Sequence, residues 1–243
     1  MTSLRTLLDG AVAGPDYPPE AGDLADVRLA GLSVPIRASV AVLATTAIIV
    51  ADHLRLFVPS DGGGSGPIAG LETLNLERLV LFLVVPVAII TLGYRDNPAR
   101  YALRLGEWRW GVALLVAGLV VMTPIILGLS ALPAFRDYYG SAPRPLGSVL
   151  VNNVIELIPA EFLVRGFLMF ALWRRIGPLA LVVVQVPFVL THIGKPDVEL
   201  WSTFIGGTAF AWLDWRTGSI LFSALGHVYV LTLMVVAVGG ATL

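Results

Sequence analysis

Four ionisable side chains lie inside otherwise apolar stretches of this chain: Glu161, Arg165, His192 and His227. A charge at the bilayer centre costs at least ~2.5–3.5 kcal/mol on insertion scales, and such residues face one another or a wet cavity. Glu161 and Arg165 are four apart and share one helix face. They can pair, either as a structural tie or as a site. A carboxylate with an imidazole can activate water, and a second imidazole can stabilise an oxyanion. Glu161, His192 and His227 are also a possible divalent-metal ligand set, although their spacing is not that of a short zinc helix motif. Nothing in the sequence requires a cofactor.

The elements that must position these groups are membrane helices. The chain of 243 residues is 56% hydrophobic and 14% charged, with mean hydropathy +0.83, whereas soluble domains carry about 25% charge. A formal net charge of −1 offers no electrostatic footprint for nucleic acid. With no cysteine there is no disulfide framework and no thiolate nucleophile. The fold class expected is all-α, a polytopic transmembrane bundle whose core is the four C-terminal helices. About seven spans are expected, at 34–51, 79–94, 110–131, 147–172, 178–193, 200–214 and 219–239; eight is the alternative.

Three regions follow. Residues 1–33 read as a flexible cytoplasmic tail, acidic through Asp9, Asp16, Glu20, Asp23 and Asp26. Residues 34–144 hold the N-terminal spans, with a surface helix near 97–110, and residues 145–243 hold the core with the buried polar groups. Asp61 to Pro67 reads as a flexible loop. Asp214 and Arg216 read as an interfacial pair, and Trp201, Trp212 and Trp215 as interface anchors.

Basic residues set the orientation. Arg5, Arg28, Arg37, Arg95, Arg100, Arg104, Arg109, Arg174, Arg175 and Arg216 fall on one side. Arg55, Arg78, Arg136, Arg144 and Lys195 fall on the other. The bias places the N-terminus in the cytoplasm of an integral protein of the cell membrane. Counted at ~1.5 Å per residue, Glu161 lies about 18 Å from Trp173, His192 about 21 Å from Pro178 and His227 about 13 Å from Gly218. All three fall at middle depth, so convergence is expected.

Glu161-Phe-Leu-Val-Arg165-Gly-Phe, Phe188-Val-Leu-Thr-His192, and Gly206-Gly207 before Arg216-Thr-Gly-Ser219 and His227 together resemble the CPBP family. That group comprises CAAX prenyl endopeptidases and bacteriocin-processing or immunity (Abi) membrane proteins. Its motifs are E-E-x-x-x-R, F-x-x-x-H and H-x-x-x-N, and the resemblance covers about residues 145–235. It implies an intramembrane endopeptidase acting on a peptide or prenylated protein substrate at the lipid boundary. Glu161 and His192 would activate water, His227 would hold the oxyanion and Arg165 would orient the carboxylate. Ala160 stands where the family has its first glutamate, and Leu231 where it has the asparagine. Glu156, one turn from Ala160, is a candidate replacement carboxylate; Glu161 as the sole base is the other option. Two further readings stay open: an impaired relative serving as an immunity or scaffolding factor, and a small-molecule transporter.

Overall fold

Proline, glycine and ion pairs decide where the apolar stretches begin and end. The computed structural model describes residues 10, 12–57, 72–140 and 143–242. Eight helices organise them: α1 (Ile36–His53), α2 (Thr73–Gly93), α3 (Trp108–Leu129), α4 (Pro133–Tyr139), α5 (146–176), α6 (Leu179–Leu190), α7 (Asp197–Thr217) and α8 (Leu221–Ala237). Two short sheets accompany the helices: an antiparallel hairpin, β1 (Asp26–Leu29) with β2 (Leu32–Pro35), and a parallel pair, β3 (Arg144–Pro145) with β4 (Ala241–Thr242). The architecture is otherwise helical, with α8 packed between α3 and α5.

Three of these helices, α1, α2 and α3, are long and apolar enough to cross a membrane, while α6 and α8 are shorter apolar helices. The helical class expected is borne out, while the count of about seven spans stays an expectation. The second span begins at Thr73 rather than 79, and its Arg78 is paired within the bundle. Arg78 donates to both oxygens of Asp52 at 2.7 and 3.0 Å and also reaches Glu156. The fifth span is broken near Val184, where Leu179–Val183 gives way to Gln185–Leu190. The sixth runs on to Thr217, where Gly218 at φ 67° ends it in the left-handed region.

Two helices widen into π turns next to proline. Pro86 in α2 is flanked by Val80–Val84 and Ile89–Gly93, and Pro159 in α5 precedes Phe162–Leu168. Proline lacks an N–H and crowds the carbonyl four residues back; a longer hydrogen-bonded turn absorbs the mismatch, and such turns are frequent at functional sites. The widened stretch of α5 begins directly after Glu161 and contains Arg165.

The surface helix expected near 97–110 is not formed. Pro98–Tyr101 makes one 3-10 turn and Ala102 turns left-handed at φ 60°. The chain then docks on the α7–α8 turn: Ile220 N–H donates to the Ala102 carbonyl at 3.1 Å, and Glu107 N–H to Thr217 at 2.7 Å. The N-terminal segment, expected to be a flexible tail, is tied down from Tyr17 onward. The Tyr17 ring packs 5.0 Å from that of Phe170, and its hydroxyl donates to the Trp215 carbonyl at 2.6 Å. Burial pushes the Tyr17 phenol up to about 12, so it remains a donor. Asp23, 4% exposed, accepts from Arg37 at 2.8 Å, Arg100 at 2.7 Å and Glu20 N–H at 2.9 Å. Burial alone would raise that carboxyl, but these donors outweigh it and hold it below its usual range. The glycine-rich loop expected at 61–67 lies outside the described residues.

Candidate active site

Helices α5, α6 and α8 each contribute one of the chemistry-bearing groups, and the three meet. Glu161 of α5 is fully buried, and both its oxygens are engaged. Its Oε1 accepts from His227 Nδ1 of α8 at 2.6 Å, and its Oε2 pairs with the Arg165 guanidinium. His192, at the end of α6, is 7% exposed and places Nδ1 2.9 Å from the Phe188 carbonyl. The two imidazole rings stack nearly parallel, with centroids 6.4 Å apart and planes 16° from each other.

These partners fix the tautomers. A carbonyl and a carboxylate only accept, so both histidines carry their proton on Nδ1. Each neutral ring then keeps a lone pair on Nε2, available to accept a hydrogen bond or a proton. The site therefore holds two imidazole acceptors with one carboxylate behind the second.

Arg165 is fully buried and lies between aromatic faces, its guanidinium 4.1 Å from the Phe188 ring centre and 5.5 Å from that of Phe210. Desolvated cation–π contacts reach about 2 kcal/mol each. Phe188 thus supports Arg165 while its carbonyl orients His192, whose ring lies 4.7 Å from its own. This dual role explains physically why a phenylalanine four residues before the histidine suits the site.

Glu156 is not brought to the imidazoles. Its carboxylate is held by Arg78, and it lines a cavity of about 450 Å³ with Tyr139, Arg144, Asn153, Lys195 and Leu231. The replacement-carboxylate role is therefore unsupported by position. Leu231 is one helical turn from His227 on α8, so the cavity's lining comes within one turn of the dyad. The optional metal set is not supported either: among the described residues no group of three His, Asp or Glu side chains is placed to hold an ion. Both Nδ1 atoms and both Glu161 oxygens already have protein partners.

Sequence reading misplaced one group. Asp214 is not half of an interfacial pair but fully buried, with Oδ2 accepting from Ser223 Oγ at 2.9 Å and Oδ1 without a hydrogen-bond partner. It lies within electrostatic reach of Glu161 and Arg165. Arg216 instead donates to the Gly10 carbonyl and lies over Trp110. The available signal was an acid inside the apolar run ending at 214. Of the tryptophans read as interface anchors, Trp201 is 70% exposed, whereas Trp215 packs on Trp173 with ring centres 5.5 Å apart.

Residues 142–233 match the family model described as type II CAAX prenyl endopeptidase Rce1-like. The resemblance read from the motifs is borne out over that region, which contains Glu161, Arg165, His192 and His227. No curated protein and no solved structure gives a significant match. The apolar helices and this regional match both point to an integral membrane protein.

Proposed function

We propose that the Rce1-like region, residues 142–233, makes this chain a membrane-embedded endopeptidase in which a Glu161–His227 dyad activates water. The observation that carries the reading is the buried 2.6 Å bond from His227 Nδ1 to Glu161 Oε1, with the His192 ring alongside. Water donating to the two Nε2 atoms gives up a proton to His227 as its oxygen attacks the peptide carbonyl carbon. The Glu161 carboxylate stabilises the imidazolium, as an aspartate does in a serine-protease triad. The imidazolium Nε2–H then faces the oxyanion and returns the proton to the leaving amine as the C–N bond breaks. His192 holds the water, and Arg165 fixes the carboxylate. Glu161 acts through His227 in this scheme rather than touching water itself, because neither of its oxygens is free.

The test is hydrolysis of an internally quenched CAAX-type peptide by the purified chain, compared with Glu161→Ala, His192→Ala and His227→Ala. Loss of cleavage in all three supports the scheme. The same background rate from all four proteins eliminates it for that substrate class.

A second reading is favoured by one specific observation: Ala160 and Leu231 replace two motif residues. In it the chain is an impaired relative that keeps the fold and binds a peptide without cleaving it, as an immunity or scaffolding factor. Peptide binding without turnover in the same assay selects this reading.

A further inference from the structure

We infer that a peptide reaches the imidazole pair from the extracytoplasmic side, and that its class is a polar exported segment rather than a cytoplasmic prenylated tail. The substrate part rests on the endopeptidase reading above; the direction of access does not.

The two ends of the bundle are built differently. At the end carrying the N-terminal segment, the chain is closed by long-range contacts. Tyr17 packs on Phe170 and donates to the Trp215 carbonyl at 2.6 Å. Arg104 Nε donates to the Gly218 carbonyl at 3.0 Å, sealing the α7–α8 turn from which His227 is reached along α8. Arg37 joins Asp23 to Asp96 at 2.8 and 2.9 Å, fastening the hairpin over the ends of α1 and α2. Between this closure and Glu161, α5 is buried without interruption from Phe162 to Leu172.

The opposite end holds the cavity of about 450 Å³. Asn153 and Glu156 enter it from the N-terminal half of α5, and Leu231 from α8 one turn past His227. Among the described residues, nine basic residues belong to the side of the closed end and five to this side. Lys and Arg excess marks the cytoplasmic face, so the closed end is cytoplasmic and the cavity opens outside.

The lining defines the ligand chemistry. Arg144, Lys195, Glu156, Asn153 and the two tyrosines Tyr138 and Tyr139 present charges and hydrogen-bonding groups. Such walls suit a peptide backbone with polar side chains. An isoprenyl chain would meet ion pairs there instead of apolar surface, and burying it would leave those groups desolvated.

The absence of native cysteine makes the test clean. Single-cysteine variants Lys195→Cys, Leu231→Cys and Arg28→Cys are treated in intact cells with a membrane-impermeant maleimide. Lys195→Cys and Leu231→Cys should be modified in intact cells, and Arg28→Cys only after permeabilisation. The reverse pattern overturns the inference, and so does Leu231→Cys remaining unmodified while Lys195→Cys reacts. In a second arm, an unprenylated polar peptide and a farnesylated CAAX peptide are offered to right-side-out and inside-out vesicles. Cleavage of the polar peptide in right-side-out vesicles alone supports the substrate class; cleavage of the farnesylated peptide in inside-out vesicles overturns it. Expected labelling with neither peptide cleaved in either orientation overturns the endopeptidase reading and the substrate class with it, and leaves the access route standing.

Discussion

Glu161→Gln is the most informative single change. It removes the charge that compensates the fully buried Arg165 guanidinium while keeping an oxygen that can still accept from His227 Nδ1. Breaking a buried pair by removing one partner costs about 3–5 kcal/mol. For a chain of this size ~1 kcal/mol corresponds to about 2–4 °C, so the midpoint should fall by roughly 6–20 °C. Arg165→Met should cost less, because Glu161 keeps its 2.6 Å hydrogen bond from His227 Nδ1. The double variant Glu161→Gln/Arg165→Met buries no charge at all. It loses the cation–π contacts on Phe188 and Phe210, about 2 kcal/mol for the one at 4.1 Å and less for the one at 5.5 Å, and regains part through thioether–aromatic contact, about 0.3–1.5 kcal/mol. It should therefore be more stable than Glu161→Gln alone, a negative coupling in a double-mutant cycle. Denaturant unfolding in bicelles, followed by tryptophan fluorescence, reads all four proteins through reporters such as the stacked Trp173–Trp215 pair. Additive losses, with the double variant the least stable, would refute the claim that an uncompensated charge governs this core.

Four further outcomes are expected. Ala160→Glu with Leu231→Asn, which restores the family pattern, should raise peptide turnover by about a hundredfold if acid–base groups are what the site lacks; no gain in the quenched-peptide assay places the deficit elsewhere. Gly207→Ala puts a Cβ 3.0 Å from Phe188 Cδ1 and closer still to the Gln185 amide oxygen, so thermal unfolding should show a loss of about 1–3 kcal/mol. Neighbouring Gly206→Ala meets nothing within 4 Å and should be neutral or stabilising by up to ~1 kcal/mol in the same measurement. Asp23 has a carboxyl held below its ordinary value of 3.8, so its latch contributes fully above that value and is lost as pH falls through the lower folded value. Amide exchange in the Asp26–Pro35 hairpin should thus accelerate at acidic pH, and Asp23→Asn should give the accelerated rate already at neutral pH. His192→Phe keeps a ring against Phe188 and gives up one hydrogen bond, about 1 kcal/mol; its folded fraction should persist while peptide cleavage disappears.

The convergence of Glu161, His192 and His227 was legible because it depended on helix rise and on where the loops fell, and both are written in the apolar pattern. The Glu161–Arg165 pair was legible for the same reason. What escaped was every feature whose charge is cancelled by a residue far along the chain. Arg78 and Glu77 look like loop in a hydropathy window, yet α2 carries Arg78 because Asp52 and Glu156 receive it. Acidic Asp23 looks like a disordered tail until Arg37 and Arg100 are found beside it. The break at 102–106 escaped for another reason. An alternation of Arg with apolar residues scores as an amphipathic helix, whereas the backbone there is committed to the α7–α8 turn through Ala102 and Glu107. Periodicity reports local geometry and is silent about partners.

The pattern of what is kept and what is replaced bears on function through burial. Glu161 and Arg165 are fully buried, and loss of either leaves a charge in the core. Folding therefore ties each to the other whether or not a reaction occurs, so the ion pair by itself says little about catalysis. Ala160 and Leu231 are half-buried, and Leu231 borders the cavity. At such positions a polar group can be exchanged for an apolar one without an unpaired charge. The histidines are the diagnostic residues. His192 could be replaced by an aromatic ring at little cost to packing, and His227 needs no ionised partner to fit. That both are imidazoles, each turned to carry its proton on Nδ1 and leave Nε2 unprotonated, is what a water-activating site requires and what a scaffold does not. The proposed chemistry therefore rests on the two rings, with the buried ion pair as the structure that holds one of them in place.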